Sequence, residues 1–327
     1  VEHNPSGADP ADIVIINTCG FIDRAKEESI ETILEYAQLK RRGAISKLYV
    51  TGCLSQRYKD NLESEIKEVD AFFGTMEMPA LLAKLNADYK HELVGERLTT
   101  TPSHFAYLKI SEGCNRTCSF CAIPLMRGKH ISIPIDQIIL QARNLARHGV
   151  KEIILIAQEL TYYGLDIYKE RSLSKLLNLL CEVEGIEWIR LHYAYPSKFP
   201  LDVIHTMKSQ EKICNYLDLP LQHASDRILA SMKRQITREE TRRLIGDIRD
   251  ILPGISLRTT MLVGFPGESE SDFNDLCNFV EEQRFDRLGV FQYSHEEDTS
   301  AYLMKDDVPV NLKEERAASL MAIQEGI

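Results

Sequence analysis

The chain has 327 residues, long enough for two domains, and its hydrophobic content of 44% is sufficient to bury a large core. Lys and Arg total 39 against 49 Asp and Glu, and the resulting charge of −10 argues against a nucleic-acid partner and suits a basic protein partner. No run of about 18 apolar residues and no basic segment followed by an apolar one is present, so we expect a cytoplasmic protein without membrane segments.

The first part of the chain alternates between β-branched runs and amphipathic stretches. We predict strands in ADIVIINTC, SKLYVTGC and DAFFGT, and helices in RAKEESIETILEYAQLKRRG, LSQRYKDNLESEIKEV and PALLAKL. This alternation predicts a small open parallel α/β domain over residues 1–95. A polar, irregular segment, GERLTTTPSH, follows as the predicted connector.

The alternation restarts in the second domain, residues 104–327. Six strands are predicted, in FAYLKIS, EIILIAQ, WIRLHYAYP, NYLDLPLQH, ISLRTTMLVGFPG and RLGVFQYS, with helical spacing between them. Eight β/α units make a closed barrel, so six predict a partial barrel with an open side. In barrels of this kind the chemistry lies at the carboxyl ends of the strands.

Three cysteines follow the first of these barrel strands in the segment SEGCNRTCSFC. Cys114, Cys118 and Cys121 have the spacing C-x3-C-x2-C. A structural zinc site needs four ligands, and His130 is the only nearby candidate for the fourth. Burial in a core does not account for three cysteines beside Asn115 and other polar residues. An iron–sulfur cluster held by three thiolates fits better, with one iron left open to another ligand.

The same segment resembles the cluster motif of radical S-adenosyl-L-methionine (SAM) enzymes. There, three such cysteines hold a 4Fe-4S cluster whose open iron binds SAM. The segments NTCGFI, TGCLSQRY, LPLQHASDRILASMKR, TTMLVGFPGE and FQYSHEEDT extend the resemblance to the methylthiotransferases over nearly the whole chain. It implies two 4Fe-4S clusters, one SAM as methyl donor and a second SAM cleaved to a radical.

Within the methylthiotransferases, the segments FCAIP, AQELTYYG, LPLQHASD and YSHEE resemble the branch that modifies an aspartate β-carbon of small-subunit ribosomal protein S-twelve. The branch that modifies tRNA usually has QNVNSY and QSGS where this chain has QELTYY and QHAS. A tRNA substrate is the alternative within the family, and a non-catalytic, cysteine-bound metal module is the alternative outside it. The electron donor leaves no recognisable pattern.

Two further cysteines, Cys19 and Cys53, each end a predicted strand of the first domain. Parallel strands deliver both thiols to one edge, where helix amino termini favour thiolates. From the spacing alone, Cys19 and Cys53 could equally be small residues that end strands without binding a metal. The resemblance implies that both are ligands of the second cluster. Its third ligand and a carboxyl-terminal substrate-binding β-domain are expected outside this sequence, which we interpret as part of a longer protein.

The remaining candidates lie in the second domain. The motif GFPGE follows the fifth barrel strand, and the resemblance implies that Gly264, Pro266 and Gly267 line SAM. Tyr193, Gln222, His223 and Tyr293 are polar groups at strand ends for which a structural hydrogen bond is the simpler explanation, and no residue is predicted to be catalytic. Cys181, Cys214 and Cys277 are predicted to pack in the core.

Overall fold

A computed structural model describes residues 11–87 and 99–327. These residues form two compact units, one of residues 11–87 with 122–128 and the other of residues 99–121 with 129–327. Part of the predicted connector, residues 95–98, lies outside the described residues. The predicted domain limits therefore stay a prediction.

The first unit is built on a three-stranded parallel sheet. Its strands, in the order β1-β2-β3, are β1 (Ile13–Thr18), β2 (Lys47–Gly52) and β3 (Ala71–Phe73), and its helices are α1 (Asp23–Arg41), α2 (Cys53–Glu65) and α3 (Met78–Lys84). Helix α1 buries Ser29, Ile33 and Ala37, one residue per turn, against a core that includes Leu48 and Val50. The predicted parallel α/β arrangement is confirmed.

Asp70 ties the start of β2 to the residues before β3. Its carboxylate accepts hydrogen bonds from the Leu48 N–H at 2.8 Å, from Lys47 Nζ at 3.0 Å and from Lys40 Nζ. Burial of Asp70 opposes its ionisation, but the hydrogen bonds from Lys40, Leu48 and Lys47 outweigh that effect and lower its pKa to about 2.

A folded-state pKa below the unfolded one means that the ionised carboxylate stabilises the fold. We expect Asp70→Asn to lower the free energy of unfolding by about 1 kcal/mol at pH 7, less than the pKa difference alone would give, because solvent screens these exposed charges. The deficit should be complete above about pH 4 and should vanish as the pH falls through about 2, where wild-type Asp70 is protonated as well. Denaturant titrations across that range, with the exposed Asp60→Asn as control, test this; a pH-independent deficit would contradict it.

The second unit contains a six-stranded parallel sheet in the order β11-β10-β9-β8-β7-β4. Its strands are β4 (Phe105–Lys109), β7 (Glu152–Ile156), β8 (Trp188–Leu191), β9 (Ile213–Asp218), β10 (Ser256–Val263) and β11 (Arg287–Gln292). Among the described residues β4 and β11 are not paired with each other, so the barrel is open. This confirms the predicted partial six-unit barrel.

Helices alternate with these strands. They are α5 (Ile135–Arg147), α6 (Leu173–Cys181), α7 (Asp202–Ser209), α8 (Asp226–Ser231), α9 (Arg238–Ile251), α10 (Glu270–Gln283) and α11 (Val310–Glu325), while the short α4 (Ile123–Arg127) groups with the first unit. Capping boxes at Thr237 and Ser269 fix the starts of α9 and α10. Cys181 and Cys277 pack against the main core, as predicted, whereas Cys214 is half-buried in β9 and is not among the described residues that pack against that core.

A small antiparallel pair was not predicted. Strands β5 (Ser111–Glu112) and β6 (Ile131–Ser132) pair Ser111 with Ser132 and Glu112 with Ile131. Strands of two residues are too short to show a hydrophobic period. The pair closes the base of the loop that carries the three clustered cysteines.

Across residues 11–87 and 99–327, none of the helices is both long and apolar enough to span a lipid bilayer.

Candidate functional site

The clustered cysteines lie at the carboxyl end of β4, in the loop between β5 and β6. Gly113 opens the loop in a left-handed conformation, with φ of 75°, and Cys114, Cys118 and Cys121 are all half-buried. The Arg116 N–H donates to Cys114 Sγ at 3.4 Å. The loop therefore places its thiols at the end of the sheet where this class of barrel carries its chemistry.

Hydrogen bonds hold the loop from two sides. Asn115 Oδ1 accepts from the His130 N–H at 3.0 Å, beside β6. Ser119 donates its N–H to the Met232 carbonyl at 3.0 Å and its hydroxyl to the Ser231 carbonyl at 2.8 Å, at the end of α8. These contacts fix the backbone around the thiols.

A buried ion pair supports the loop from below. Arg116 Nη2 lies 3.1 Å from Glu159 Oε2, and both side chains are at most 5% exposed. The other Glu159 oxygen accepts from the Thr161 N–H at 2.7 Å and from its hydroxyl at 2.5 Å. The Arg116 guanidinium carbon lies 4.0 Å from the Tyr162 ring centroid and 3.8 Å from that of Tyr195. The charge is thus compensated and its planar faces are covered by aromatic rings.

A second arginine reaches a cluster thiol directly. Arg234 Nη1 donates to Cys118 Sγ at 3.3 Å, and Arg234 also stacks at 4.2 Å from the Tyr195 ring centroid. Sequence reasoning missed Arg116, Glu159, Tyr195 and Arg234, although the first stands between two of the cysteines. In the sequence, an arginine between two cysteines of a polar loop is expected to be exposed to solvent. Only its contacts in the folded chain show that it is buried and paired.

Burial dominates the electrostatics of the Cys114 thiol. It raises the pKa of Cys114 to about 11, although the hydrogen bond from the Arg116 N–H acts in the opposite direction. The thiol is therefore protonated at neutral pH, and ligation of a metal must release that proton.

The donor set fits a cluster with three protein ligands. Three thiols in one loop, with an N–H and a guanidinium already directed at two of the sulfurs, offer the soft ligands and hydrogen bonds that iron–sulfur clusters use. Within the described part of the chain, no three His, Cys, Asp or Glu side chains are placed to hold one metal ion. This does not conflict with a cluster site, because in a cubane each cysteine binds a different iron and the three cysteine sulfurs need not converge on one point. His130, the candidate fourth zinc ligand, has its Nε2 3.1 Å from Ser132 Oγ.

In the first unit, Cys19 and Cys53 follow the ends of two paired strands. Thr18 of β1 is in register with Gly52 of β2, so the two cysteines come directly after paired residues. Cys19 is exposed and Cys53 is half-buried as the first residue of α2. Gly52 has φ of 108°, and a Cβ there would lie 2.4 Å from the Thr18 carbonyl oxygen, so only glycine permits this approach of the strand ends.

The GFPGE turn at the end of β10 is organised by Glu268. Its Oε2 accepts from the Gly264 N–H at 2.9 Å, and its Oε1 accepts from Arg316 Nη1 of α11 at 2.7 Å. His223 Nε2 lies 3.4 Å from Oε2. Because His223 Nδ1 accepts the Ser225 N–H, the proton of the neutral ring is on Nε2, which is buried and makes no hydrogen bond to the carboxylate. From the sequence, roles are predicted for the glycines and the proline of the GFPGE motif but none for Glu268.

The glycines of this turn have structural reasons of their own. Gly264 has φ of 75°, and a Cβ there would lie 2.3 Å from Cγ of Lys313, so a larger residue is excluded. The Gly267 N–H donates to Asp307 Oδ1 at 2.7 Å, and Pro266 is buried. Of the other strand-end groups, Tyr193 and Gln222 have positive φ and Tyr293 is buried.

Comparison with known families places these features in context. The Radical SAM superfamily profile matches residues 108–280, and that of Uncharacterized protein family UPF0004 matches residues 3–74. The ribosomal protein uS12 methylthiotransferase RimO of Cytophaga hutchinsonii is 63% identical over 326 residues, covering 100% of this chain and 74% of that protein. The chain belongs to the RimO family. The RimO of Flavobacterium johnsoniae is 59% identical, covering 100% of this chain and 75% of that protein.

Solved structures agree with the RimO assignment at the level of fold. The radical S-adenosylmethionine methyltransferase TsrM from Kitasatospora setae matches with a TM-score of 0.62 at 14% identity, covering 86% of this chain and 63% of that chain. Coproporphyrinogen III oxidase HemN from Escherichia coli matches with a TM-score of 0.52 at 23% identity, covering 67% and 52%. As a RimO family member the chain is a radical SAM methylthiotransferase, a class that uses a 4Fe-4S cluster and SAM.

Proposed function

We propose that this chain carries out methylthiolation of an aspartate β-carbon in ribosomal protein uS12. The observation that carries the proposal is the 63% identity to a uS12 methylthiotransferase over the whole chain. The net charge of −10 supports it, because ribosomal proteins that bind RNA are basic.

In this proposal Cys114, Cys118 and Cys121 hold the radical SAM cluster. The support is the loop itself, whose backbone is fixed through Asn115 and Ser119. When bound, a cluster with one open iron supplies reductive cleavage of SAM to a 5′-deoxyadenosyl radical, which removes hydrogen from the substrate carbon. The protein's part is to hold the loop at the strand ends with Arg116 and Glu159 and to exclude water with the tyrosine rings around them.

We assign the lining of the SAM site to Gly264, Pro266 and Gly267 on the basis of their position at the end of β10. The N–H groups of Gly264 and Gly267 already donate to Glu268 and Asp307. These two N–H groups are therefore not available to SAM, and the turn contributes a close-packed surface for it instead.

For the second cluster we propose Cys19 and Cys53 as ligands. Support comes from the register of β1 and β2, which brings the two residues to neighbouring strand ends. The exposure of Cys19 leaves it accessible to a cluster at that edge.

The test is anaerobic reconstitution of the full-length protein with iron and sulfide, followed by incubation with SAM, dithionite and either purified uS12 or tRNA. We expect a methylthio group on one aspartate of uS12, detected by tandem mass spectrometry of its peptides. Methylthioadenosine in the tRNA digest, with unmodified uS12, would overturn the proposal in favour of the tRNA branch.

Binding should separate the two substrate classes as well. A protein that neutralises several phosphates loses affinity steeply with salt, about 10³-fold or more between 50 and 200 mM for six or more contacts. With its acidic charge, the protein should bind tRNA weakly and uS12 measurably in fluorescence anisotropy at both salt concentrations. Tight tRNA binding that falls with such a slope would contradict this expectation.

A further inference from the structure

Arg234 is placed by the end of helix α8. The Lys233 N–H donates to the Ala230 carbonyl and the Arg234 N–H to the Leu229 carbonyl, both at 3.0 Å, the paired bonds of a Schellman motif. Lys233 occupies the left-handed position of that motif with φ of 56°, where glycine is usual. The helix cap therefore fixes the backbone from which the Arg234 side chain extends.

The side chain is held on several sides. Arg234 is 4% exposed, and its Nη2 donates to the Pro220 carbonyl at 2.5 Å. The backbone carbonyl of Arg234 accepts a hydrogen bond from the Tyr195 hydroxyl at 2.8 Å. The Tyr195 ring lies beneath the guanidinium at 4.2 Å, and Nη1 is directed at Cys118 Sγ at 3.3 Å, while the buried Nε has no hydrogen-bond partner among the described residues. A buried arginine anchored in this way has little freedom to turn elsewhere.

Tyr195 is a second polar group near this sulfur, with its oxygen 3.8 Å from Cys118 Sγ. Its hydroxyl has one proton, and that proton is donated to the Arg234 carbonyl, which can only accept. Of these two neighbours, Arg234 is therefore the donor to a Cys118 thiolate.

We infer that Arg234 is a positioning residue that raises the reduction potential of the cluster on the Cys114 loop. The inference rests on the proposed function, since it takes Cys118 as a cluster ligand. Reduction adds one electron and one negative charge to the cluster, and a fixed positive charge that donates to a ligand sulfur stabilises the reduced state more than the oxidised one. Removing that charge makes the electron harder to add.

The test is an EPR-monitored redox titration of reconstituted full-length protein in which Cys19→Ala and Cys53→Ala leave only the loop cluster. In this background we expect Arg234→Gln to retain iron and to lower the reduction equilibrium constant about tenfold, a shift of about 59 mV for a one-electron couple. Arg249→Gln is the matched control, because Arg249 donates to the carbonyls of Gln283 and Arg284 and not to a thiol. An unchanged potential in Arg234→Gln would overturn the inference.

A second measurement tests the contact between the guanidinium and the cluster directly, without a potential. Wild-type protein is labelled with ¹⁵N in the guanidino groups only, since the Arg116 backbone N–H also donates to a loop thiol. Pulsed EPR of the reduced cluster should show a guanidino nitrogen coupling that disappears in Arg234→Lys. A reduced wild-type cluster without this coupling would overturn the inference, whereas a chain that binds no iron at the loop would instead refute the proposed function.

Discussion

Replacing Cys118 with Ala should abolish SAM cleavage. The thiolate is one of three that the loop provides, and the variant leaves the Arg234 guanidinium without its sulfur acceptor. A cubane with two protein ligands is more exposed and more labile, so reconstituted Cys118→Ala should hold about four fewer iron atoms per chain than wild type. Iron is measured by colorimetric assay and 5′-deoxyadenosine by liquid chromatography after reduction with dithionite.

The matched control for this variant is Cys181→Ala. Cys181 is also a half-buried thiol, but it lies at the end of α6, packed against the main core. It should retain wild-type iron content and SAM cleavage. If Cys118→Ala cleaves SAM at the rate of Cys181→Ala, the assignment of the loop as the cluster site is wrong.

Glu159→Gln should cost the second unit about 3–5 kcal/mol of unfolding free energy. Glutamine keeps the shape of the side chain but removes the counterion of Arg116, which is 5% exposed and cannot turn to solvent without disrupting its stacking on two tyrosines. A buried, uncompensated guanidinium is far costlier than a lost surface pair. Urea titration followed by tryptophan fluorescence, through Trp188, measures the loss.

An exposed pair supplies the comparison for Glu159→Gln. Lys151 and Glu187 lie 2.8 Å apart with exposed fractions of 52% and 62%, so Glu187→Gln should change stability by no more than about 1 kcal/mol. Adding Arg116→Met to Glu159→Gln should restore part of the stability, because the double variant leaves no buried charge. Equal costs for Glu159→Gln and Glu187→Gln would show that the buried charge is compensated in another way.

The strands could be predicted because buried parallel strands are nearly continuous apolar runs. Their ends were harder to place. The stretch WIRLHYAYP reads as strand throughout, but β8 ends at Leu191, and Tyr193 turns the chain with φ of 66°. Its N–H lies 3.4 Å from Asp218 Oδ2, a residue at the end of β9. The end of β8 therefore coincides with a contact to a neighbouring strand. The sequence pattern of β8 alone does not show such a contact.

In the candidate site, too, the local sequence predicts some features and only the folded chain shows the others. Three cysteines within eight residues are a local signal, and their spacing alone predicts a metal-binding loop, which stays a prediction. The groups that surround them come from distant segments, since Arg234 is 116 residues from Cys118 and Glu159 is 43 from Arg116. A charged residue viewed alone favours the surface, and only the folded chain shows which charges are buried and paired.

The dependence of Glu268 on Arg316 has a consequence for the order of synthesis. The carboxylate that shapes the turn after β10 is fully buried, and its guanidinium partner is encoded 48 residues later. Translation proceeds from the amino terminus, so the strands of the sheet leave the ribosome before α11 does. Until α11 follows, the turn carries a carboxylate without its arginine, so the docking of α11 onto the turn supplies the charge that compensates Glu268.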